Sequence, residues 1–108
     1  WQRTFAANGK KYHQFRATST LGGDVVIAGS SSREVVGGYD EDAFLLRVNG
    51  DGNLLWSRPY GTYDQDDWGW SVFETPNQNI VFVGSTKSFG ASLFDIYLVG
   101  TNAEGISQ

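Results

Sequence analysis

Carboxylate side chains are concentrated in one short stretch of the sequence, YDQDDWGW at 63–70. Asp64, Asp66 and Asp67 supply the hard oxygen ligands that calcium prefers, and a glycine stands at the sixth position counted from Asp64, as in a calcium-binding loop. The twelfth position holds Thr75, where such a loop has a bidentate glutamate. Two hypotheses stay open, a metal site and a polar turn that leads into a strand.

Aromatic side chains are a second chemical signal, because their rings can stack on sugar rings and on other flat apolar surfaces. Tyr12, Tyr63 and Trp68 fall in predicted connections between strands, where binding residues often lie, and we predict that they contact a ligand. Trp1 and Trp56 instead recur at one position of an internal repeat. A large aromatic that recurs in this way is typical of a packing anchor.

No combination of residues in the sequence is typical of a catalytic centre. His13 is the only histidine, and its counterpart in the repeat described below is Trp68, which favours a packing role. Serines 30–32 belong to no G-x-S-x-G motif, and neither a phosphate-binding loop nor an H-E-x-x-H motif occurs. We therefore predict a protein that is not an enzyme and carries no cofactor.

Composition narrows the classes of partner. The net charge is −4, and the eight Lys and Arg residues are scattered along the chain, which is not typical of a nucleic-acid-binding surface. No apolar run approaches the roughly 18 residues that a membrane-spanning helix needs. The absence of cysteine excludes disulfides and thiolate metal sites but leaves the compartment open. We predict neither a nucleic-acid partner nor a membrane span.

An internal repeat defines the elements that position these residues. Gly29 aligns with Gly84 at an offset of 55 residues, and a second pair of segments aligns at an offset of 53. Trp56 aligns with Trp1 when the chain is treated as circular. The matching segments are GGDVVIAGSSS with NQNIVFVGSTK, and DAFLLRVNGDGN with DIYLVGTNAEGI. The chain therefore contains two units of about 54 residues, a period typical of repeat architectures.

Each unit is predicted to form four strands, A to D. The predicted strands are 15–20, 24–29, 42–48 and 54–60 in the first unit, and 70–75, 79–84, 95–101 and 106–108 continued by 1–5 in the second. Strands B and C are nearly continuous apolar runs, which indicates sheets with both faces covered. Pro59 in strand D cannot donate to a ladder, so strand D is predicted at the sheet edge.

Two kinds of connection are predicted to meet at one end of the sheets, because strands A and C run one way and strands B and D the other. They are the D–A loops, 6–13 and 61–68, and the B–C loops, 30–41 and 85–94. Loops grouped at one end of a rigid scaffold are a common place for binding, so this end is the predicted binding surface.

Four-stranded antiparallel sheets that are buried on both faces predict an all-β fold, the β-propeller, with two blades in this chain. Residues 1–108 then form one two-blade unit: blade 1 spans about 14–60, and blade 2 spans about 69–108 and is completed by residues 1–5 of a neighbouring chain. Two blades alone would leave two apolar faces in water, so we expect a closed ring of three or four identical chains, with about six or eight blades. An arbitrary cut in a longer array of blades is the alternative.

The segments DAFLLRVNGDGNLLWSRPYG and DDWGWSVFETPNQNIVFVGST resemble the tandem propeller repeats of bacterial and archaeal secreted or surface proteins. The resemblance covers essentially the whole chain, and the GNLLW motif is distantly similar to the tryptophan-bearing blades of quinoprotein-like propellers. It implies a propeller fold and an extracellular or cell-surface location. It transfers no catalytic residue, and such a fold hosts many functions.

Two functions of different class follow as expectations. The first is a non-catalytic, self-assembling scaffold or interaction module whose partner is itself, as a cyclic trimer or tetramer, with room for a protein on the loop face. The second is a lectin-like module that binds glycan on that face through Tyr12, Tyr63 and Trp68. An enzyme is the least favoured class, since the sequence shows no base, nucleophile or cofactor motif.

Overall fold

The computed structural model describes residues 1–6, 9–61, 65–87 and 93–108, and the regular secondary structure in these ranges is entirely β. The strands are β1 Lys10–Ser19, β2 Val25–Val35, β3 Gly38–Val48, β4 Leu54–Tyr60, β5 Asp67–Glu74, β6 Ile80–Thr86 and β7 Asp95–Thr101. The predicted all-β class is confirmed. In the described part of the chain, no helix is long and apolar enough to cross a membrane.

The strands form two antiparallel sheets that follow the repeat. Sheet 1 has the order β1-β2-β3-β4, and sheet 2 has the order β5-β6-β7. The order predicted for strands A to D is confirmed in the first unit, and that of strands A to C in the second. Beyond β7, a single antiparallel bridge joins Ser107 to Thr101, at the place where a fourth strand would begin.

The B–C loop predicted at 30–41 is wrong. The β2 and β3 strands continue through this segment as one long hairpin, with Ser30 opposite Ala43 and Val35 opposite Gly38. The turn is short because Gly37 adopts a φ of 89°, a left-handed conformation that glycine reaches without a steric penalty. The VVGG sequence at 35–38 is therefore a turn signal between strands, and the predicted loop is limited to its tip.

The strand boundaries also correct the predicted D–A loops. Tyr12 and His13 lie within β1, and Trp68 is the second residue of β5. These three residues were predicted in the loops 6–13 and 61–68, but each lies in a ladder, paired with Ser31, Ser30 and Ser85 respectively. Strand pairing therefore extends further toward this end of the sheets than was predicted, and it includes the serines at 30, 31 and 85.

The main core lies between the two sheets. Val26, Ala28, Ala43 and Leu45 of sheet 1 are fully buried there. The residues of sheet 2 that pack on them are Val72, Ile80, Phe82 and Val99. This packing covers one face of each sheet and uses alternate residues of the apolar B and C strands.

Glycines allow the sheets to approach closely at the inner strands. Strand β5 packs against β1, β2 and β3. A Cβ atom on Gly69 would lie 2.6 Å from the carbonyl oxygen of Gly29 on the facing sheet, which is far inside van der Waals contact. The two sheets can therefore lie this close only because Gly69 has no Cβ atom.

A second, smaller apolar cluster covers the other face of sheet 1. It consists of Phe44, Leu46 and Val48, with Val25, Ile27 and Tyr12 packed beside them. The N-terminal segment crosses this face, and Phe5 packs against the cluster. The N-terminal residues and sheet 2 thus lie on opposite sides of sheet 1.

Candidate functional site

The structure separates the predicted ligand-binding residues. Tyr12 packs on the outer face of sheet 1, with its ring 4.8 Å from the ring of Phe44 in an edge-to-face arrangement. Trp68 lies at the start of sheet 2, with its ring 4.6 Å from that of Phe94. The two residues line different pockets. Tyr63 lies outside the described residues, so its place relative to them stays a prediction.

The two described aspartates of the predicted metal site have structural partners. The carboxylate of Asp66 accepts the backbone N–H of Glu41 at 3.2 Å. Asp67 is fully buried, and its carboxylate accepts a hydrogen bond from the hydroxyl of Thr86. Asp64 lies outside the described residues. Among the residues that are described, no group of three His, Cys, Asp or Glu side chains is placed to hold a metal ion. The metal site stays a prediction that depends on Asp64.

Glu41 joins the two sheets at this end, although the sequence analysis assigned it no role. Its carboxylate accepts the indole N–H of Trp68, and its other oxygen lies 3.8 Å from Nε2 of His13. With Asp66 on its backbone N–H, Glu41 holds residues of both units together. A charged residue in a hairpin strand carries no sequence signal for this role, because its partners are distant in the chain.

Partial burial of one carboxyl group and two phenols favours their neutral forms. Burial raises the pKa of Asp42, and the nearby carboxylate of Asp40 raises it further. Burial also raises the pKa of Tyr97, with a contribution from Asp67. For Tyr60, burial raises the pKa to about 12. Tyr60 and Tyr97 line a pocket of about 370 Å³ beside the free edge of β7. Burial is the main cause of all three pKa shifts.

Strand β4 holds the two units together at their outer edge. The indole N–H of Trp56 donates to the carbonyl of Ala103 at 3.2 Å. The hydroxyl of Tyr60 donates to the carbonyl of Gly105 at 2.6 Å, and Nε of Arg58 donates to that of Glu104 at 2.7 Å. Each of the three alternate residues of β4 therefore binds the turn that follows β7 in the next unit.

The ring of Trp56 also needs a glycine beneath it. A Cβ atom on Gly105 would lie 2.7 Å from the Trp56 ring, so only glycine allows this contact. Gly105 has a φ of 76°, which glycine adopts readily. The ring of Tyr60 in turn packs on Phe82 at 4.9 Å. Strand β4 thus contacts sheet 2 both at the turn that follows β7 and at Phe82 in the core.

Residues 1–5 contact sheet 1 in the way that β4 contacts sheet 2. The indole N–H of Trp1 donates to the carbonyl of Gly50 at 2.9 Å, and Gly50 is the repeat counterpart of Ala103. A Cβ atom on Gly52 would lie 2.6 Å from the Trp1 ring, just as a Cβ atom on Gly105 would clash with the Trp56 ring. Trp1 therefore contacts the turn between β3 and β4 as Trp56 contacts the turn that follows β7.

Each sheet has one apolar face that no described sheet covers. The open face of sheet 1 is a groove of about 400 Å³ lined by Phe5, Tyr12, Phe15, Ile27, Phe44 and Leu46, with Ala17 and Arg16 at its side. The open face of sheet 2 is formed by Phe73, Val81, Val83, Ile96 and Leu98, which are opposite or alternate residues of its ladder. Ile96 is 83% exposed and Leu98 is 67% exposed. Contiguous exposed apolar faces of this kind typically mark interaction sites.

The repeat relates these two open faces to the covered core. Ile96 and Leu98 correspond to Ala43 and Leu45, which are fully buried against sheet 2. On the other side, Ile27 of the groove corresponds to Phe82, which is fully buried against sheet 1. Each open face is therefore the counterpart of a face that already packs on a neighbouring sheet within the chain.

A small aromatic pocket of about 340 Å³ lies at the start of sheet 2, between Gln14, Trp68, Trp70, Ser85 and Phe94. The indole N–H of Trp70 donates to the hydroxyl of Ser85 at 3.0 Å. Gln14 has a φ of 59° within the irregularity of β1 between His13 and Arg16. Of these residues, Trp68 alone was predicted to contact a ligand. Trp70 lies two residues from it in the stretch 63–70, whereas Gln14, Ser85 and Phe94 come from three further segments of the chain.

Searches of family models, of curated proteins and of solved structures found no match to this chain. The resemblance to tandem propeller repeats therefore rests on the residues themselves.

Proposed function

We propose that the chain is a two-blade unit of a non-catalytic β-propeller scaffold, which assembles head to tail with further copies of itself into a closed ring. The observation that carries this proposal is the pair of open faces. Each is the repeat counterpart of a face that is covered within the chain, so packing between copies would repeat an interface that the chain already uses.

The size and character of the open faces support the proposal. Ile96 and Leu98 are largely exposed in the single chain, while their counterparts in sheet 1 are completely buried. The apolar surface of two such side chains favours burial by about 25 cal/mol for each Å² removed from water. The groove on sheet 1 presents Phe15, Ile27 and Phe44 as the complementary apolar surface. The interface is heterologous, so a ring forms where the rotation between copies closes.

The position of residues 1–5 supports the same arrangement. They already lie beside the open face of sheet 1, where the preceding sheet of a propeller would place its outer strand. A second copy that docks its sheet 2 in the groove would meet this segment. Three chains would give about six blades and four chains about eight, which are common propeller sizes. Seven blades are excluded for whole two-blade chains.

The experiment that tests the proposal is a mass measurement by size-exclusion chromatography with light scattering, across a range of concentrations. We expect one species of three or four chains, each of 11.9 kDa. A species that stays monomeric at all concentrations would refute the proposal. The matched variant is Ile96→Lys, since it places a charge on the open face of sheet 2 at a side chain that is 83% exposed in the single chain.

A second candidate function, glycan binding, is favoured by the aromatic pocket alone. Trp70 and Phe94 are about half exposed, at 48% and 49%, and the hydroxyl of Ser85 stands beside them. Concave sites with aromatic walls and a few polar groups are typical of small-ligand sites. Titration of neutral sugars against the native chain and Trp70→Ala tests this candidate. Binding that the variant retains would show that the pocket is not the site.

The two candidate functions differ in whether Ser85 is buried or stays exposed to a ligand. Its repeat counterpart, Ser30, is fully buried in the packing of sheet 1. The proposed docking would bury Ser85 in the same way and narrow the pocket. If glycan binding strengthens when Ile96→Lys blocks assembly, the aromatic pocket is favoured as the ligand site. If glycan binding is unchanged, the glycan binds at a place that the interface between copies does not cover.

A further inference from the structure

We infer that residues 1–5 of one copy complete sheet 2 of the next as its fourth strand, in a defined register: Trp1 opposite Gly100, Arg3 opposite Leu98 and Phe5 opposite Ile96. This inference rests on the proposed assembly and specifies the partner of one edge, strand β7. It goes beyond the packing of open faces, because it names the backbone pairs that close the junction.

The first step is the incomplete edge of sheet 2. In sheet 1, β3 has β2 on one side and β4 on the other. In sheet 2, β7 has β6 on one side, and the described residues place only the Thr101–Ser107 bridge on its other side. The N–H of Gln108 also donates to the carbonyl of Gly100 at 2.9 Å. Residues 107 and 108 therefore begin a fourth strand beside β7.

The second step is the register. The Thr101–Ser107 bridge corresponds, at an offset of 53 residues, to the Val48–Leu54 pair of sheet 1. In sheet 1 the strand continues with three pairs on alternate residues: Arg47 with Trp56, Leu45 with Arg58, and Ala43 with Tyr60. The same offset converts these pairs into the three that we infer between β7 and residues 1–5 of another copy.

The third step is the choice of a second copy as the donor. Phe5 packs on Phe44, Leu46 and Val48, which is the face of sheet 1 turned away from sheet 2. Sheet 1 therefore stands between residues 1–5 and β7 of the same chain, and the segment cannot reach that edge. A second copy whose groove receives the open face of sheet 2 brings its own residues 1–5 to the edge of β7.

The side-chain contacts of residues 1–5 also agree with those of β4. The side chains of Trp1 and Phe5 already point at their own sheet 1, as Trp56 and Tyr60 point at sheet 2. A strand that lies on the edge of one sheet while its alternate side chains pack on the next is the arrangement of β4. Residues 1–5 need no rearrangement of these side-chain contacts to adopt it.

The test uses disulfide formation between copies, since the chain has no cysteine of its own. Two singly substituted chains, Leu98→Cys and Arg3→Cys, are mixed, with one of them isotopically labelled so that the mixed product is identified by mass. Directly opposite residues of an antiparallel pair have Cβ atoms close enough for a disulfide. The matched control replaces Arg3→Cys by Thr4→Cys, because a slip of one residue points the side chain to the other face.

We expect the Leu98→Cys and Arg3→Cys mixture to give a mixed disulfide at a yield several-fold above that of the Thr4→Cys control. The mass of the unsubstituted chain is measured under the same conditions. A ring that forms without the in-register disulfide would overturn the inferred strand and leave the proposed assembly standing. A chain that stays monomeric would overturn both, so the two failures are distinguishable.

Discussion

The substitution Leu98→Asp tests the proposed junction with a magnitude that the structure supplies. Leu98 is 67% exposed in the single chain, and its repeat counterpart Leu45 is fully buried. Full burial of a leucine side chain contributes about 1.5–3 kcal/mol, so the remaining two-thirds is worth about 1–2 kcal/mol at each junction. An ionised carboxylate placed in the same apolar contact without a partner adds a desolvation penalty of several kcal/mol.

Together these terms weaken each junction by about 4 kcal/mol, which corresponds to a roughly thousandfold weaker association. The fold of the single chain changes little, because a substitution at an exposed position away from special features usually alters stability by about 0.5 kcal/mol or less. Light scattering across a concentration series measures the association, and thermal unfolding followed by circular dichroism measures the fold.

Val36→Asp is the matched control, since Val36 is fully exposed at the tip of the β2–β3 hairpin and belongs to neither open face. We expect Leu98→Asp to dissociate the ring into folded monomers, while Val36→Asp assembles as the native chain does. A Leu98→Asp ring of unchanged mass and concentration dependence would refute the assignment of the open face of sheet 2 to the junction.

Three further predictions concern the packing inside the chain. Trp56→Ala removes a half-buried ring and its hydrogen bond, so we expect a loss of about 2–4 kcal/mol in chemical unfolding. Trp1→Ala, at a ring 68% exposed in the single chain, should cost well under half of that in a monomeric background, and an equal loss would contradict the difference in burial. Gly69→Ala should destabilise by about 1–3 kcal/mol or more, because its Cβ meets a backbone carbonyl of the facing sheet; a neutral effect on the melting temperature would show that the sheets can separate there at no cost. Burial raises the pKa of Tyr60 from 10.0 to about 12, so its phenol is stabilised in the neutral form. That stability is complete below pH 10 and is lost as the pH rises toward 12; the full shift corresponds to about 2.7 kcal/mol in the free energy of unfolding, and solvent screening of this half-buried group lowers it to about 2 kcal/mol. Tyr60→Phe should flatten this alkaline decline, and an unaltered slope would assign the decline to another group.

The repeat made much of the architecture predictable from sequence. Val26 and Ala28 alternate with Val25 and Ile27 in one apolar run, and the structure buries the first pair against sheet 2 and places the second pair in the outer cluster. A run that is apolar on both parities is typical of a sheet covered on both sides. The order of the strands followed from the turn residues between these runs.

The ends of the strands were less predictable, because polar residues there carry no period. Ser30 is fully buried in a ladder although its sequence neighbours are typical of a loop. Tyr12 was predicted in a loop for the same reason and instead packs on Phe44 within β1. In both cases the partner strand determines the conformation, and that partner lies many residues away.

The candidate site depended even more on contacts between distant segments. Glu41 binds Trp68, and the aromatic pocket combines Gln14 with Trp70 and Phe94. Trp70 shares the stretch 63–70 with Trp68, but no local motif links Glu41, Gln14 or Phe94 to it, so spacing alone misses these three partners. The Trp1 contact with Gly50 was likewise out of reach, although the repeat predicted that Trp1 and Trp56 play equivalent parts.

The most direct test of the account is the native mass of the 108-residue chain, measured by native mass spectrometry and by light scattering at several concentrations. We expect a closed species of three or four chains of 11.9 kDa each, with no continuous series of larger forms. A chain that remains at 11.9 kDa, or one that grows into open polymers of every length, would contradict the proposed ring.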